Sequence, residues 1–378
     1  MKCLLVMPRW SEHGSLIPAS GRPWLDLALE GLGVGPVSLM ELDGDAPLDP
    51  HEIPEKYRVV LVQDHGRGNR LRRSLLSNMG LSLGLGAEDT ERLKVLGAHS
   101  LTDSQGRTVG FALQRRGRLV AYFSQSIWSA RVDLFRMLRG FVAAGGGRRQ
   151  RGETVCWMVE GAGEPLDLGE PLVNDSFSLC RARNLPDGDA GLLIPAIMGE
   201  EFKERIRNRL GNRVYAHTPQ PLEELLAEQL LQAGLKVAVA ESCTAGLVAA
   251  RLTALPGSSA YLDGGMVSYA NGIKQQWLDV DGDLLATRGA VSREVAGAMA
   301  EGILKESGAD LAVAVTGIAG PDGGTPEKPV GTVHLAVRSR AGGFLEHRGF
   351  YVGSRERVRW QASQTALHLL RRMMMMVA

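Results

Sequence analysis

Cysteine is scarce in this 378-residue chain: Cys3, Cys156, Cys180 and Cys243 stand far apart with no close pair. That spacing argues against a disulfide framework and offers no tetrahedral zinc pattern, so a reducing cytoplasm is the expected setting. Charge of one sign is lacking too. With 43 basic and 42 acidic side chains the net charge is +1, and no overall field would draw the molecule onto nucleic acid or an anionic membrane. No apolar stretch approaches the roughly 20 residues of a membrane helix, and the opening MKCLLVMPRW is too short in its apolar part for a secretory core and reads as a first strand. What is present, 44% hydrophobic and 22% charged residues, is the composition of a soluble globular protein.

The length suggests two or three domains. Short apolar strands (CLLVM, VVLVQ, LVAYF) alternate with helical patterns (PWLDLALEGLG, LRRSLLSNMG, RVDLFRMLRGFVAA) through the first half, which is the grammar of an α/β domain. Gly145 to Gly152, GGGRRQRG, breaks all periodicity and reads as a linker. A small α+β module is expected after it, with strands in TVCWMV and GLLIPAIM and a charged helix in EEFKERIRNRLG. Beyond Pro221 an amphipathic helix, LEELLAEQLLQAG, leads into the strand LKVAVAE. The expected division is 1–150, 151–217 and 218–378, and the terminal run of four methionines is expected to fray.

LKVAVAE ends at Ser242-Cys243-Thr244-Ala245-Gly246, and LVAARLTAL continues with helical periodicity. A polar turn between a buried strand and a helix start leaves backbone N–H groups without helical partners and suits a phosphate or a developing oxyanion. The residues alone equally allow that Ser242 or Thr244 simply caps the helix. A second such turn follows LAVAVTG: Ile318-Ala319-Gly320-Pro321-Asp322-Gly323-Gly324-Thr325, where glycines let amides approach a ligand. A tight connection would explain those glycines as well. Both turns leave C-terminal strand ends, where open α/β sheets hold ligands. Between them lies Met266 to Lys274, MVSYANGIK, a strand running into a helix start, which offers Tyr269 and Lys274. None of the three loops contains histidine, so a Ser-His-acid arrangement is not suggested, and a lysine or tyrosine would have to activate the serine. Further on, Gly353-Ser354-Arg355 opens a terminal helix; Arg355 could clamp a phosphate, or Ser354 could be a plain cap.

Taken together, AESCTAGLVAARLT, PGSSAY, VSYANGIK, GAVS, VTGIAGPDGGTPEKPVGTV and GSRERVR resemble the CinA C-terminal domain, the nicotinamide-nucleotide amidase family. The resemblance implies an α/β domain that hydrolyses nicotinamide mononucleotide to nicotinate mononucleotide and ammonia without metal or cofactor, in a homodimer. It puts the nucleophile on Ser242 and the proton-transfer pair on Lys274 and Tyr269. Substrate contacts then fall on Cys243, Thr244, Ala245, Gly246, Asn271, Thr316, Gly317, Gly320 and Arg355. Two departures stand out, Ala245 where the family usually has glycine and Ser354 where it has aspartate; a methyl at 245 would matter if its φ were positive.

Upstream, GSLIPASGRPWLDLALEGLG and GAHSLTDSQGRTVGFAL resemble a worn copy of the family's three-layer α/β molybdopterin-binding-like domain. The loop from Pro8 to Gly14 and that from Asp64 to Arg72 have lost the family's motifs, with Arg67, Arg70 and Arg72 where metal-binding carboxylates would stand. The middle module occupies the place of a KH-like domain but has no GXXG clamp, so RNA binding is not expected. Two rival functions remain at this stage: a nucleotide-binding regulator with little turnover, and a metal-dependent ADP-ribose pyrophosphatase in the first domain.

Overall fold

The computed structural model describes residues 198–377 without a break and, ahead of them, 2–9, 37–43, 53–63, 98–102, 107–115, 117–124, 130–144, 155–161, 181–185 and 189–195 with a few shorter stretches. The glycine-rich linker and the arginines at 67, 70 and 72 lie outside the described residues. Two compact units divide the chain, Met1–Pro221 and Leu222–Ala378. Their boundary falls near the expected one at 217, while the expected one at 150 falls inside the first unit.

The first unit contains β1 (Lys2–Arg9), β2 (Val37–Asp43), β3 (Tyr57–Gln63), β4 (Leu83–Gly84), β5 (Lys94–Val95), β6 (His99–Thr102), β7 (Thr108–Arg115) and β8 (Arg118–Phe123). Six of these form a sheet in the order β2-β1-β3-β8-β7-β6, parallel from β2 to β8 and antiparallel from β8 to β6. Val59, Val60, Leu61 and Val62 are all fully buried, as expected of a parallel strand covered on both faces. Helix α1 (Arg131–Ala144) buries Leu134, Phe135, Leu138 and Phe141, a spacing of three and four that makes one apolar stripe. A second, antiparallel sheet has the order β10-β11-β9-β12, with β9 Val155–Val159, β10 Arg181–Asn184, β11 Ala190–Ile194 and β12 Val214–Ala216. On it packs α2 (Glu200–Leu210), whose Ile206 and Leu210 meet Trp157, Val159, Leu192 and Ile194.

The second unit is built on one five-stranded sheet, β14-β13-β15-β16-β17, with β13 Val237–Glu241, β14 Leu262–Val267, β15 Leu311–Gly317, β16 Thr332–Ser339 and β17 Phe344–Phe350. The alternation of valine and alanine in β13 and β15 sorts the two faces, because successive side chains point to opposite sides. Ala238, Ala240, Ala312, Ala314 and Ala336 form one face under Val295, Met299 and Ile303 of α7 (Arg293–Ser307). Small side chains there let the helix lie close. Gly302 extends that closeness to a neighbour, since a Cβ on it would stand 2.1 Å from the Leu278 carbonyl oxygen at the end of α5 (Asn271–Leu278). The other helices are α3 (Leu222–Ala233), α4 (Leu247–Leu252), α6 (Gly282–Arg288) and α8 (Arg355–Val377). α8 contacts β15, β16 and β17. It also corrects the expectation of a frayed methionine tail: the helix runs to Val377, with Met373 0% and Met374 6% exposed, because burial of these thioethers against the sheet outweighs end fraying. Among the described residues no helix is long and apolar enough to cross a membrane.

Candidate active site

Register brings the informative residues to one edge. Glu241 stands opposite Val267 of β14 and Val315 of β15, so the residues that follow each strand, Ser242 and Ser268, and the penultimate residue of β15, Thr316, gather at the carboxyl ends of three parallel strands. Ser242 N donates to Val315 O at 2.9 Å and Ser268 N to Glu241 O at 2.8 Å, which continues the ladder into the loop. Glu241 itself, 1% exposed, turns its carboxylate onto the first turn of α4 and accepts from Val248 N at 3.0 Å and Ala249 N at 2.8 Å. Neither Ser242 nor Thr244 caps that helix. Its N-terminal amides are taken by a built-in anion, which leaves them unavailable to a substrate phosphate. The loop is also held from the other side, by Arg359 donating to Thr244 O at 2.8 Å.

Ser242 and Lys274, far apart in sequence, meet here. Lys274 lies in α5 with 1% exposure, and its Nζ is 3.2 Å from Ser242 Oγ, 2.7 Å from Ser268 O and 3.1 Å from Tyr269 O. No carboxylate pairs with it among the described residues. Burial therefore holds its pKa below the ordinary lysine value, since an ammonium out of water lacks a compensating anion. In the neutral amine two N–H bonds satisfy the two carbonyls, and the lone pair is left facing Ser242 Oγ. That is the geometry of a general base beside a hydroxyl nucleophile. The neighbouring Cys243 is no competitor, because burial pushes its thiol up to about 12 and only a thiolate attacks.

A cavity of about 190 Å³ opens above this pair, lined by Ser242, Cys243, Tyr269, Lys274, Ala290, Val291, Thr316, Gly317, Ala319 and Arg355. Thr316 gives its hydroxyl proton to Ala290 O at 2.8 Å, tying β15 to the turn before α7. Ser292 caps α7 by accepting from Val295 N, so the preceding Ala290 and Val291 are fixed as walls. At the exposed rim, Arg355 donates to Gly320 O at 2.8 Å and to Tyr269 Oη at 3.2 Å.

Tyr269 was expected to share proton transfer with Lys274; its hydroxyl stands against Arg355 at the rim of the cavity. Residues alternate at the end of β14, with Ser268 inward at 0% exposure and Tyr269 outward at 59%; the ring thus leaves the lysine and meets the arginine. Tyr269 serves Lys274 through its main-chain carbonyl. Tyr269→Phe is accordingly expected to raise KM about threefold to tenfold by loosening Arg355, with kcat and the pH profile nearly unchanged. A hundredfold loss of kcat would return the hydroxyl to the proton-transfer step.

Of the substrate-contact positions implied by resemblance, Cys243, Thr316, Gly317 and Arg355 line the cavity, while Thr244, Ala245, Gly246, Asn271 and Gly320 do not. Asn271 is exposed as the first residue of α5, and Thr244 is fully buried beneath the loop. Gly320 contributes only its carbonyl, to Arg355. Ala290, Val291 and Ala319 were missed as individual residues, although the GAVS and TGIAG strings that contain them were visible. Ser354 is the plain cap, accepting from Arg357 N at 3.3 Å.

Ala245 has φ +50° and is exposed. The left-handed conformation costs an alanine on the order of 1–2 kcal/mol relative to glycine. Ala245→Gly is thus expected to stabilise the unit by about 1 kcal/mol in chemical denaturation, with turnover unaltered because Ala245 does not line the cavity. Unchanged or lowered stability would show that the methyl finds compensating contacts.

Residues 219–374 match the CinA C-terminal domain family. A CinA-like protein of Anaeromyxobacter sp. (strain K) is 50% identical over 176 residues, 47% of this chain and 43% of that protein. One from Mycolicibacterium gilvum is 57% identical over 142 residues, 38% of this chain and 34% of that protein. The chain therefore spans less than half the length of these curated relatives. The solved competence/damage inducible protein CihA of Agrobacterium tumefaciens is 48% identical and covers 40% of this chain and 94% of its own, with a TM-score of 0.39.

Proposed function

This chain belongs to the CinA family through its C-terminal domain, and we propose that the domain hydrolyses the carboxamide of nicotinamide mononucleotide to nicotinate mononucleotide and ammonia. The observation that carries the reading is the buried Lys274 amine, 3.2 Å from Ser242 Oγ and oriented by two main-chain carbonyls. Ser242 Oγ attacks the amide carbon as its proton passes to Lys274 Nζ. The tetrahedral intermediate collapses, the C–N bond breaks, and Lys274 hands the proton to the departing nitrogen. Water then attacks the acyl ester, again losing a proton to Lys274, which returns it to Ser242 Oγ as the acid leaves.

The amide of Ala319, which lines the cavity, makes no backbone hydrogen bond among the described residues and is an available donor for the oxyanion. A cavity of about 190 Å³ is smaller than the roughly 300–1,000 Å³ that encloses a whole drug-sized ligand. It suits the pyridine ring and its amide, with the ribose phosphate lying out toward Arg355. Arg355 donates to two neutral oxygens, Gly320 O and Tyr269 Oη, and an anion offers it a stronger bidentate partner. Ammonia release from nicotinamide mononucleotide by the purified chain tests the reading. Ser242→Ala should abolish release while nucleotide still binds; a wild-type chain that binds the nucleotide without releasing ammonia would make the domain a nucleotide-binding regulator instead.

A further inference from the structure

β17 is an edge strand, at the end of the sheet order, and it packs its faces on α7 and α8 while its outer main-chain edge has no neighbouring strand among the described residues. The parity of that edge follows from two bonds at the ends of the ladder with β16. Tyr351 N donates to Gly331 O at 3.0 Å and Ser339 N to Gly343 O at 2.9 Å. Odd-numbered residues of β17 thus bond inward, and Phe344, Glu346, Arg348 and Phe350 send their N–H and C=O groups outward. These four side chains also share one face of the strand.

Read in both directions, the strand Phe344-Leu345-Glu346-His347-Arg348-Gly349-Phe350 is complementary to itself. We propose that it joins two copies of this chain, antiparallel and edge to edge, about a two-fold axis at His347. In that register Glu346 lies opposite the other copy's arginine 348 and Phe344 opposite the other copy's phenylalanine 350. The outward-bonding residues pair with outward-bonding residues, so every free N–H and C=O of the edge finds a partner. Had the two charges been alike, each pair would repel. Opposite charges placed symmetrically around one residue instead select this register over its neighbours. The edge also carries apolar surface that a monomer leaves wet: Phe350 is 61% exposed and the adjoining Val352 70%. Glu346 already pairs with Arg293 of α7, which holds its carboxylate on the face where the second arginine arrives. An interface of this kind is isologous and closed, consistent with a dimer rather than a fibre. It is independent of the reaction assigned to the cavity.

Cross-linking of the full chain tests it. Opposed residues at the axis form a non-hydrogen-bonded pair with Cα atoms about 4.5 Å apart, within the range a disulfide spans. His347→Cys is expected to give a covalent dimer on mild oxidation, absent from the wild type, whose described cysteines Cys3, Cys156 and Cys243 are buried. Adding Arg348→Glu should cut the linked fraction at least about tenfold, by opposing two glutamates twice. Mixing that protein with His347→Cys/Glu346→Arg should restore linkage as a heterodimer. A folded His347→Cys protein that stays unlinked, or linkage indifferent to both charge reversals, overturns the proposal.

Discussion

Lys274→Ala is expected to lower turnover of nicotinamide mononucleotide by about 10²–10⁴, the usual contribution of a positioned base, with far less effect on nucleotide binding. The expectation rests on Nζ being aimed at Ser242 Oγ by Ser268 O and Tyr269 O and on burial that favours the neutral amine. Lys274→Arg should not rescue, because a guanidinium stays protonated and has no lone pair to offer. Activity should rise with pH along an acid limb that reports Lys274 and lies below 10.5, the ordinary lysine value. The same shift carries a stability cost. Between the folded and unfolded pKa the unfolded chain binds more protons, so stability rises with pH through that window and the penalty is full below the folded pKa. Measured against Lys274→Met, which has no group to titrate there, the wild type should therefore gain stability as pH climbs toward 10.5. Near-normal turnover in the arginine variant would show a lysine that is charged and only binds phosphate.

Arg251→Ala is expected to destabilise the C-terminal unit by about 3–5 kcal/mol, the cost of leaving a buried charge without its partner. Arg251 is fully buried. Its Nε donates to Glu223 of α3 at 2.8 Å, one terminal nitrogen to Ser363 Oγ at 2.8 Å, and the other to Gln364 of α8. The guanidinium also lies 4.7 Å from the Trp360 ring centroid. Three helices thus converge on one cation, which is carried by the helix that follows the Ser242 loop. Truncation takes the arginine partner from the Glu223 carboxylate, 2% exposed. Hydrogen exchange at the amides of β13 and β15 reads the opening free energy of this unit, and a fall of less than about 1 kcal/mol would show that water enters and solvates the carboxylate. Arg251→Met with Glu223→Leu should recover most of the loss, since an apolar pair of similar volume removes the desolvation cost from both sides.

Local pattern was sufficient for much of this molecule. The valine and alanine alternation of LKVAVAE and LAVAVTG became β13 and β15, and the three- and four-residue apolar spacing of RVDLFRMLRGFVAA became α1. Period and burial are properties of a short window, so they survive without knowledge of the fold. The polar turns after β13 and β15 were visible for the same reason, and with them Ser242, Lys274 and Arg355 as candidates. Charge balance and cysteine spacing were likewise complete in the sequence.

Tertiary structure alone decided where those candidates stand. That Lys274 lies 3.2 Å from Ser242 depends on the register of β13 against β14 and on the placement of α5 under the strand ends. One motif paired Tyr269 with Lys274 and put Asn271 on the substrate, yet in the fold the Tyr269 ring turns outward and Asn271 stands exposed at the start of α5. Glu241 and Arg251 stood in the AESCTAGLVAARLT string without a role of their own, one ending an apolar strand and the other inside a helical run. Their importance comes from partners remote in the chain or around a turn, and such pairings follow from packing, which no local period encodes. The methionine tail shows the same rule, because Met373 is held by a sheet it could not know from its neighbours. Sequence set which residues could act, and packing at the strand ends set which of them meet.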